Sequence, residues 1–193
     1  MKIIAVRHGE TAVNIAKGTH HTGDEASLTE QGREQIRLAA EAIARYHAAQ
    51  IYASPEIRTQ ESAAIIHAVL HCPMHTEEAL RERNWGAWEG RPWQEIADIL
   101  TPLDLETRFT FTPPGGESWE QMENRLKEFI DQIAVDTVLV THGGVLRAMV
   151  PLLLRAPRET SFEYDFANAS VSVFSRTNGR FEATELNDTS HLK

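Results

Sequence analysis

Two short stretches, "AVRHGE" at residues 5–10 and "LVTHGG" at 139–144, follow one plan: apolar strand, one polar residue, histidine, glycine, the opening of a helix. If the two strands are neighbours in one parallel sheet, this plan ends both at a common edge. The runs Ile3–Val6 and Thr137–Val140 lack polar alternation, the pattern of strands covered on both faces. Helical patterns lie between them. One runs from Glu30 to about His47 with Ile36, Ala40 and Ile43 on one face; a second, 55–70, opens on Pro55; a third fills 144–154. Ser118 and Gln121 form a capping box ahead of an apolar stripe through Trp119, Met122, Leu126, Phe129, Ile130 and Ile133. Residues 51–54 read as a second strand, and Asn178-Gly179 marks a hairpin between two alternating strands. This alternation predicts an α/β fold: a three-layer sandwich with a mostly parallel central sheet and helices on both faces. The length suits a single domain over 1–193. An irregular excursion at about 84–117, with Trp85, Trp88, Trp93 and a short helix near 93–100, is expected to cover the substrate. The polar end "ELNDTSHLK" is expected to be mobile.

Composition removes several function classes. A net charge of −9 argues against nucleic acid or an anionic membrane as the main partner, since both need a basic face. Cys72 is the single cysteine; no internal disulfide is available, and a reducing compartment, the cytoplasm, is expected. Cys72 reads as structural. The longest apolar run, "VLRAMVPLLL", is interrupted by Arg147 and Pro151 and is too short to cross a bilayer.

In open parallel sheets, ligands bind beyond the carboxyl ends of the strands. If the two histidine-bearing strands are neighbours, His8 and His142 face one pocket. Gly9 and Gly143 would let backbone approach a ligand, and a helix N-terminus behind each would offer N–H groups and partial positive charge. Arg7 adds a planar cation matched to phosphate oxygens. Asn14 falls in the first turn if Thr11 caps the next helix, and Arg58, four residues past Ser54, reaches the same edge. Two chemistries fit. His8, His142 and Glu82 could hold a metal, although Arg7 and Arg58 would then sit beside a dication. Alternatively one histidine attacks phosphorus, the arginines and the other histidine stabilise the equatorial oxygens, and a carboxylic acid protonates the leaving group.

"RHGET" (7–11) with Asn14, "SPEIR" (54–58), "LRERNWGAWEG" (80–90), "PGGES" (114–118) and "THGG" (141–144) occur in this order across nearly the whole chain. Together they resemble the histidine phosphatase superfamily, with its phosphoglycerate mutase-like fold, and within it the α-ribazole and broad-specificity phosphatases. The resemblance implies His8 as phosphorylated nucleophile and Arg7, Arg58, His142 and Asn14 as phosphoryl ligands. It implies Glu82 as acid and base, rather than its neighbours Glu77, Glu78 or Glu89, and no cofactor or metal. The substrate would be a small phosphate ester. On this reading Arg7 and Arg58 depress the His8 pKa, a bound phosphate dianion raises that of Glu82, and a mildly acidic optimum follows.

Departures from the family pattern concern substrate choice. Ser27 stands where a proline often precedes Leu28-Thr29, His20 and His21 occupy a variable loop at 18–27, and Thr59 follows Arg58 where alanine is usual. "ERNWG" partly echoes the mutase "ERHYG", so phosphoglycerate mutase-type transfer is the alternative, but mutases carry a longer middle insertion. A non-catalytic phosphate-binding or regulatory module is the alternative from another class; the intact histidines and arginines weigh against it. Glu117 and Ser118 read as a helix N-cap pair. His67, His71, His75 and His191 read as solvated or structural, as do His20 and His21.

Overall fold

The computed structural model describes residues 1–16 and 26–193; His20, His21 and most of their loop lie outside the described residues. Among the described residues six strands form one sheet: β1 (Lys2–Arg7), β2 (Gln50–Ala53), β3 (Met74–Thr76), β4 (Thr137–Thr141), β5 (Val171–Thr177) and β6 (Arg180–Asp188). Seven α-helices accompany them among the described residues: α1 (Ala12–Ile15), α2 (Glu30–Ile43), α3 (Ile57–Leu70), α4 (Trp93–Leu100), α5 (Leu105–Thr110), α6 (Trp119–Ile130) and α7 (Gly143–Leu154). The strand order is β3-β2-β4-β1-β5-β6. The first four strands are parallel; β5 and β6 add an antiparallel edge. The expected α/β fold with a mostly parallel sheet is therefore the observed one.

The apolar strand runs resolve into two faces by the two-residue period of a strand. Ile3, Ala5 and Leu139 pack with Met122 and Leu126 of α6 and Met149 of α7. Ile4, Val6, Val138 and Val140 pack with Ile36 of α2 and Ile66 of α3. Each such residue is buried, worth about 1.5–3 kcal/mol of transfer free energy for each Ile, Val, Leu or Met side chain. The two central strands are thereby fixed from both sides, and their ends are rigid platforms.

The excursion has its own small core of Trp85, Ile96 and Leu100, flanked by Trp88, Leu103 and Phe111. Its neck is closed by backbone contact: Ala87 N donates to Pro114 O (2.9 Å) and Glu117 N to Asn84 O (2.8 Å). Gly86 has φ +53°, and a Cβ there would lie 2.3 Å from Pro114 O. Arg83 ties the neck inward, donating from Nε to Glu117 O and from Nη2 to Phe111 O, both at 2.9 Å. The helix expected near 93–100 is α4; α5 is a second one that the sequence pattern did not announce. The chain end is not loose as expected. β6 extends to Asp188, Ser190 N donates to Asp188 Oδ1 at 3.0 Å, and His191 Nε2 lies 3.1 Å from Ala169 O.

Candidate active site

Strand register brings the two histidines together. Arg7 pairs with Thr141 across β1 and β4, so His8 and His142 leave the sheet side by side. Their ring centroids are 5.3 Å apart at 61°, and His8 N donates to Thr141 O at 3.0 Å. Both side chains are buried.

Hydrogen bonding fixes the tautomer of each ring. His8 Nδ1 lies 2.8 Å from Gly9 O. A carbonyl only accepts, so Nδ1 carries the proton and Nε2 the lone pair. His142 Nδ1 lies 3.1 Å from Arg58 Nη2, a group that only donates, so there the proton sits on Nε2. That nitrogen faces Ser54 Oγ at 2.9 Å and Glu56 Oε2 at 3.2 Å. Burial holds His8 well below the ordinary histidine pKa, with Arg58, His142 and Arg7 adding to the effect. The direction is as expected; burial, not the arginines, leads. His142 is lowered too, by burial and Arg58, against Glu56 and Glu82.

Arg7 donates from Nη1 to Phe166 O, while its buried Nε finds no hydrogen-bond partner among the described residues. Arg58 is 1% exposed. Thr11 caps α1, as expected, and Asn14 completes the capping box. Asn14 Oδ1 accepts from Thr11 N and from Asn168 Nδ2, both at 3.1 Å. Its carbonyl end is thereby committed to the cap, and its NH₂ is the donor end.

Glu82 is half-buried. Its carboxylate accepts from Arg83 N at 2.9 Å and from Gly144 N at 3.0 Å. Burial raises its pKa, but His142, these two N–H groups and Arg58 outweigh it, so the carboxyl stays below its usual range. The rise expected from a phosphate dianion must work against this starting point.

Two expectations about glycine and helices need correction. A Cβ on Gly9 would lie 2.3 Å from Gly32 O, so Gly9 serves the packing of α2 rather than approach of a ligand. At Gly143 a Cβ would meet Arg7 at an ordinary 3.5 Å, whereas at Gly144 it would lie 2.3 Å from Glu82 Oε1; the second glycine is the one the site needs. His142 does cap a helix, α7. Behind His8, α1 is a single turn that starts at residue 12.

A cavity of about 550 Å³ opens over this floor of Arg7, Asn14, Glu82 and Gly143. Trp85, Trp93 and Leu100 of the excursion form one wall, so the excursion does border the site. Arg108, Arg147, Phe162 and Asp165 form the other. The Arg108 guanidinium stacks 4.1 Å above the Phe162 ring, with Arg147 5.9 Å from the same ring. Arg108 Nε is buried with no hydrogen-bond partner among the described residues. Glu117 is an anchor rather than a pocket group: Arg125 grips its carboxylate through Nε at 2.7 Å and Nη2 at 2.9 Å. Ser118 is the N-cap of α6, as expected. Among the described residues, no three His, Cys, Asp or Glu side chains converge as a metal set. The oxygens of Glu82 are taken by backbone N–H groups and His142 Nδ1 by Arg58, which a dication would have to displace. Sequence reasoning missed Glu56, Asn168, Arg108 and Arg147. The first two lie in helix-cap and turn positions where polar residues are routine, and the two arginines carry no motif.

The model of the histidine phosphatase superfamily (branch 1) matches residues 3–189. The chain is 32% identical to the metal-independent phosphoserine phosphatase of Arabidopsis thaliana, over 99% of this chain and 83% of that protein. It is 30% identical to phosphoserine phosphatase 1 of Hydrogenobacter thermophilus, over 100% of this chain and 94% of that protein. The α-ribazole phosphatase structure from Shigella flexneri superposes with a TM-score of 0.84 at 22% identity, covering 98% of this chain and 97% of that one. Sequence, register and site geometry agree: the chain belongs to the histidine phosphatase superfamily, branch 1, and is a phosphatase.

Proposed function

We propose that residues 1–193 act as one phosphomonoesterase domain that hydrolyses a small phosphorylated metabolite through phosphohistidine on Nε2 of His8. The observation that carries this reading is the His8 ring itself: buried, held neutral, with Nδ1 donating to Gly9 O and the ring 5.3 Å from that of His142. Nε2 attacks phosphorus and the ester P–O bond breaks. Glu82, protonated in the complex, gives its proton to the leaving oxygen. The imidazolium charge that forms on His8 is shared through Nδ1–H with Gly9 O. Water then attacks phosphorus, the Glu82 carboxylate takes its proton, and the P–N bond breaks to restore His8. Arg7, Arg58, Asn14, His142 and the backbone at Gly143 hold the phosphoryl oxygens throughout. The buried Arg7 Nε is a donor set aside for such an oxygen.

Beyond the phosphoryl group the cavity favours a second anionic group. Arg108 and Arg147 lie 4.1 Å and 5.9 Å from the Phe162 ring centre and line the cavity, and the substrate class we assign is a short phosphomonoester that carries a carboxylate. Phosphoserine, the substrate in the names of two relatives, is the first to test. The excursion at 84–117 would close over the carbon skeleton. The test compares O-phospho-L-serine with p-nitrophenyl phosphate, with EDTA present, for the native chain, His8→Ala, and Arg108→Ala with Arg147→Ala. EDTA-resistant turnover of both esters, lost in His8→Ala, supports the chemistry. A fall of about 10- to 100-fold in kcat/KM for phosphoserine alone in the double variant, the scale of a lost charged hydrogen bond, supports the carboxylate subsite. Equal effects on both esters sink that subsite, and turnover abolished by EDTA sinks the mechanism.

A further inference from the structure

Against Nε2 of His142 sits a carboxylate that the mechanism above does not use. Glu56 is 4% exposed, although it is the N-cap of α3, a position where a short polar side chain ordinarily accepts from the helix's own N–H groups. Glu56 makes no such bond. Its carboxylate turns inward instead. Oε2 accepts from Ser54 Oγ and lies 3.2 Å from His142 Nε2, and Oε1 lies 3.7 Å from Arg81 Nη1. The backbone that aims it is pinned by Thr59, whose hydroxyl is 2.8 Å from Ser54 O and 2.6 Å from Glu56 O, and by Gln60 Nε2, 2.6 Å from Ser54 O. Thr59 is thus given a purpose at the position where the family pattern has alanine.

We infer that Glu56 is a positioning residue that makes His142 the proton-carrying ligand of the phosphoryl group. The inference rests on the reading of His142 as a phosphoryl ligand. Without an anion, His142 is neutral: Arg58 donates to Nδ1 and the proton sits on Nε2, against Glu56 and Ser54. When a phosphoryl group draws the Arg58 guanidinium to its own oxygens, Nδ1 loses that donor. A carboxylate fixed behind Nε2 then favours a second proton on Nδ1, and the imidazolium donates it toward the phosphoryl oxygen. Glu56 is placed to remain charged throughout: burial opposes its ionisation, but hydrogen bonds from His142 and Ser54 and the charge of Arg58 hold it at about 2. The other charged groups facing His142 are Arg58, which opposes its protonation, and Glu82, which favours it; His8 stands neutral at its edge.

The test uses inorganic phosphate as probe and reads His142 directly. In the native chain, ¹⁵N imidazole shifts should show His142 neutral without phosphate at pH 7 and doubly protonated with phosphate bound. Glu56→Gln keeps a hydrogen-bond acceptor behind Nε2 but removes the charge. In that variant the alkaline limb of phosphate binding and of kcat/KM should move to lower pH by at least about one unit, a tenfold change in proton affinity. Glu56→Asp, which keeps the charge, should restore part of the shift. His142 still neutral in the native phosphate complex would overturn the inference without any variant. So would Glu56→Gln that binds phosphate with an unmoved pH limb, whether or not its turnover falls. If phosphate perturbs neither His8 nor His142, the reading of the site fails together with this inference.

Discussion

The two His-Gly strand ends share a sequence plan but hold their histidines in opposite ways. At the end of β1 the histidine is presented by its own backbone: Nδ1 donates to Gly9 O, and Gly9 is pressed against Gly32 of α2. At the end of β4 the histidine is presented by side chains: Arg58 on Nδ1, with Ser54 and Glu56 on Nε2. Opposite nitrogens therefore carry the proton. On the reading proposed above, the Nε2 lone pair of the first ring attacks, and the second ring takes up a proton when its arginine is drawn away. A repeated motif thus fixes where two groups sit, and the atoms around each decide what it does.

Substitution of the histidines separates the two ends most widely. His8→Ala should abolish turnover and any covalent intermediate, because it removes the proposed nucleophile. His142→Ala should keep the intermediate but slow its formation by about 10²–10³-fold, the scale of losing one transition-state donor. Equal residual rates in single-turnover experiments would erase the distinction. Glu82→Gln is next: loss of the acid should cost about 10²–10⁴-fold on an alkyl phosphate and much less on p-nitrophenyl phosphate, whose leaving group needs no proton. Equal losses on both esters would remove Glu82 from the role of proton donor.

The glycines sharpen the contrast. Gly144→Ala places a methyl against Glu82 Oε1 and should cut kcat on alkyl phosphates with little change in melting temperature. Gly9→Ala drives its Cβ into the Gly32 carbonyl and should cost about 1–3 kcal/mol of stability, seen as a lower melting temperature. Reversed outcomes would mean that Gly9 serves the ligand and Gly144 the packing. The smallest effect is in stability against pH. His8 and His142 are both held below the ordinary histidine pKa by burial, so below about 6.5 the unfolded chain takes up protons that the folded one refuses. Stability should fall as pH drops through this range, by up to about 1.4 kcal/mol per pH unit for each histidine. Glu56, at about 2 when folded, adds a further loss between about 4.5 and 2. Replacing His142 with asparagine should flatten the first part of the curve; an unchanged slope would contradict the burial argument.

Most of the frame was legible in the residues. Ile3–Val6 and Thr137–Val140 announced strands buried on both faces, and the histidine after each announced a shared edge, because side-chain period and strand polarity are local properties. Arg7 and Arg58 were placed at that edge by their distance from strand ends, whereas Glu82 was singled out from its neighbouring carboxylates only by the family resemblance. Glu56 was not, since its approach to His142 depends on β2 lying beside β4 and on a cap that forgoes its usual bond. Arg108 and Arg147 were not, because they meet over Phe162 only through the folding of the excursion. The chain end misled for a related reason: a polar sequence reads as loose, but as an edge strand beside β5 it is held by backbone pairing.

The most direct test is to quench the native chain during turnover of p-nitrophenyl phosphate in EDTA and map the phosphoryl group by mass spectrometry and ³¹P NMR. An acid-labile, alkali-stable phosphoryl group on Nε2 of His8, formed and lost at rates that account for turnover, is the expected result. Turnover with no covalent intermediate, or a phosphoryl group on another residue, would contradict the assignment of His8 as the nucleophile.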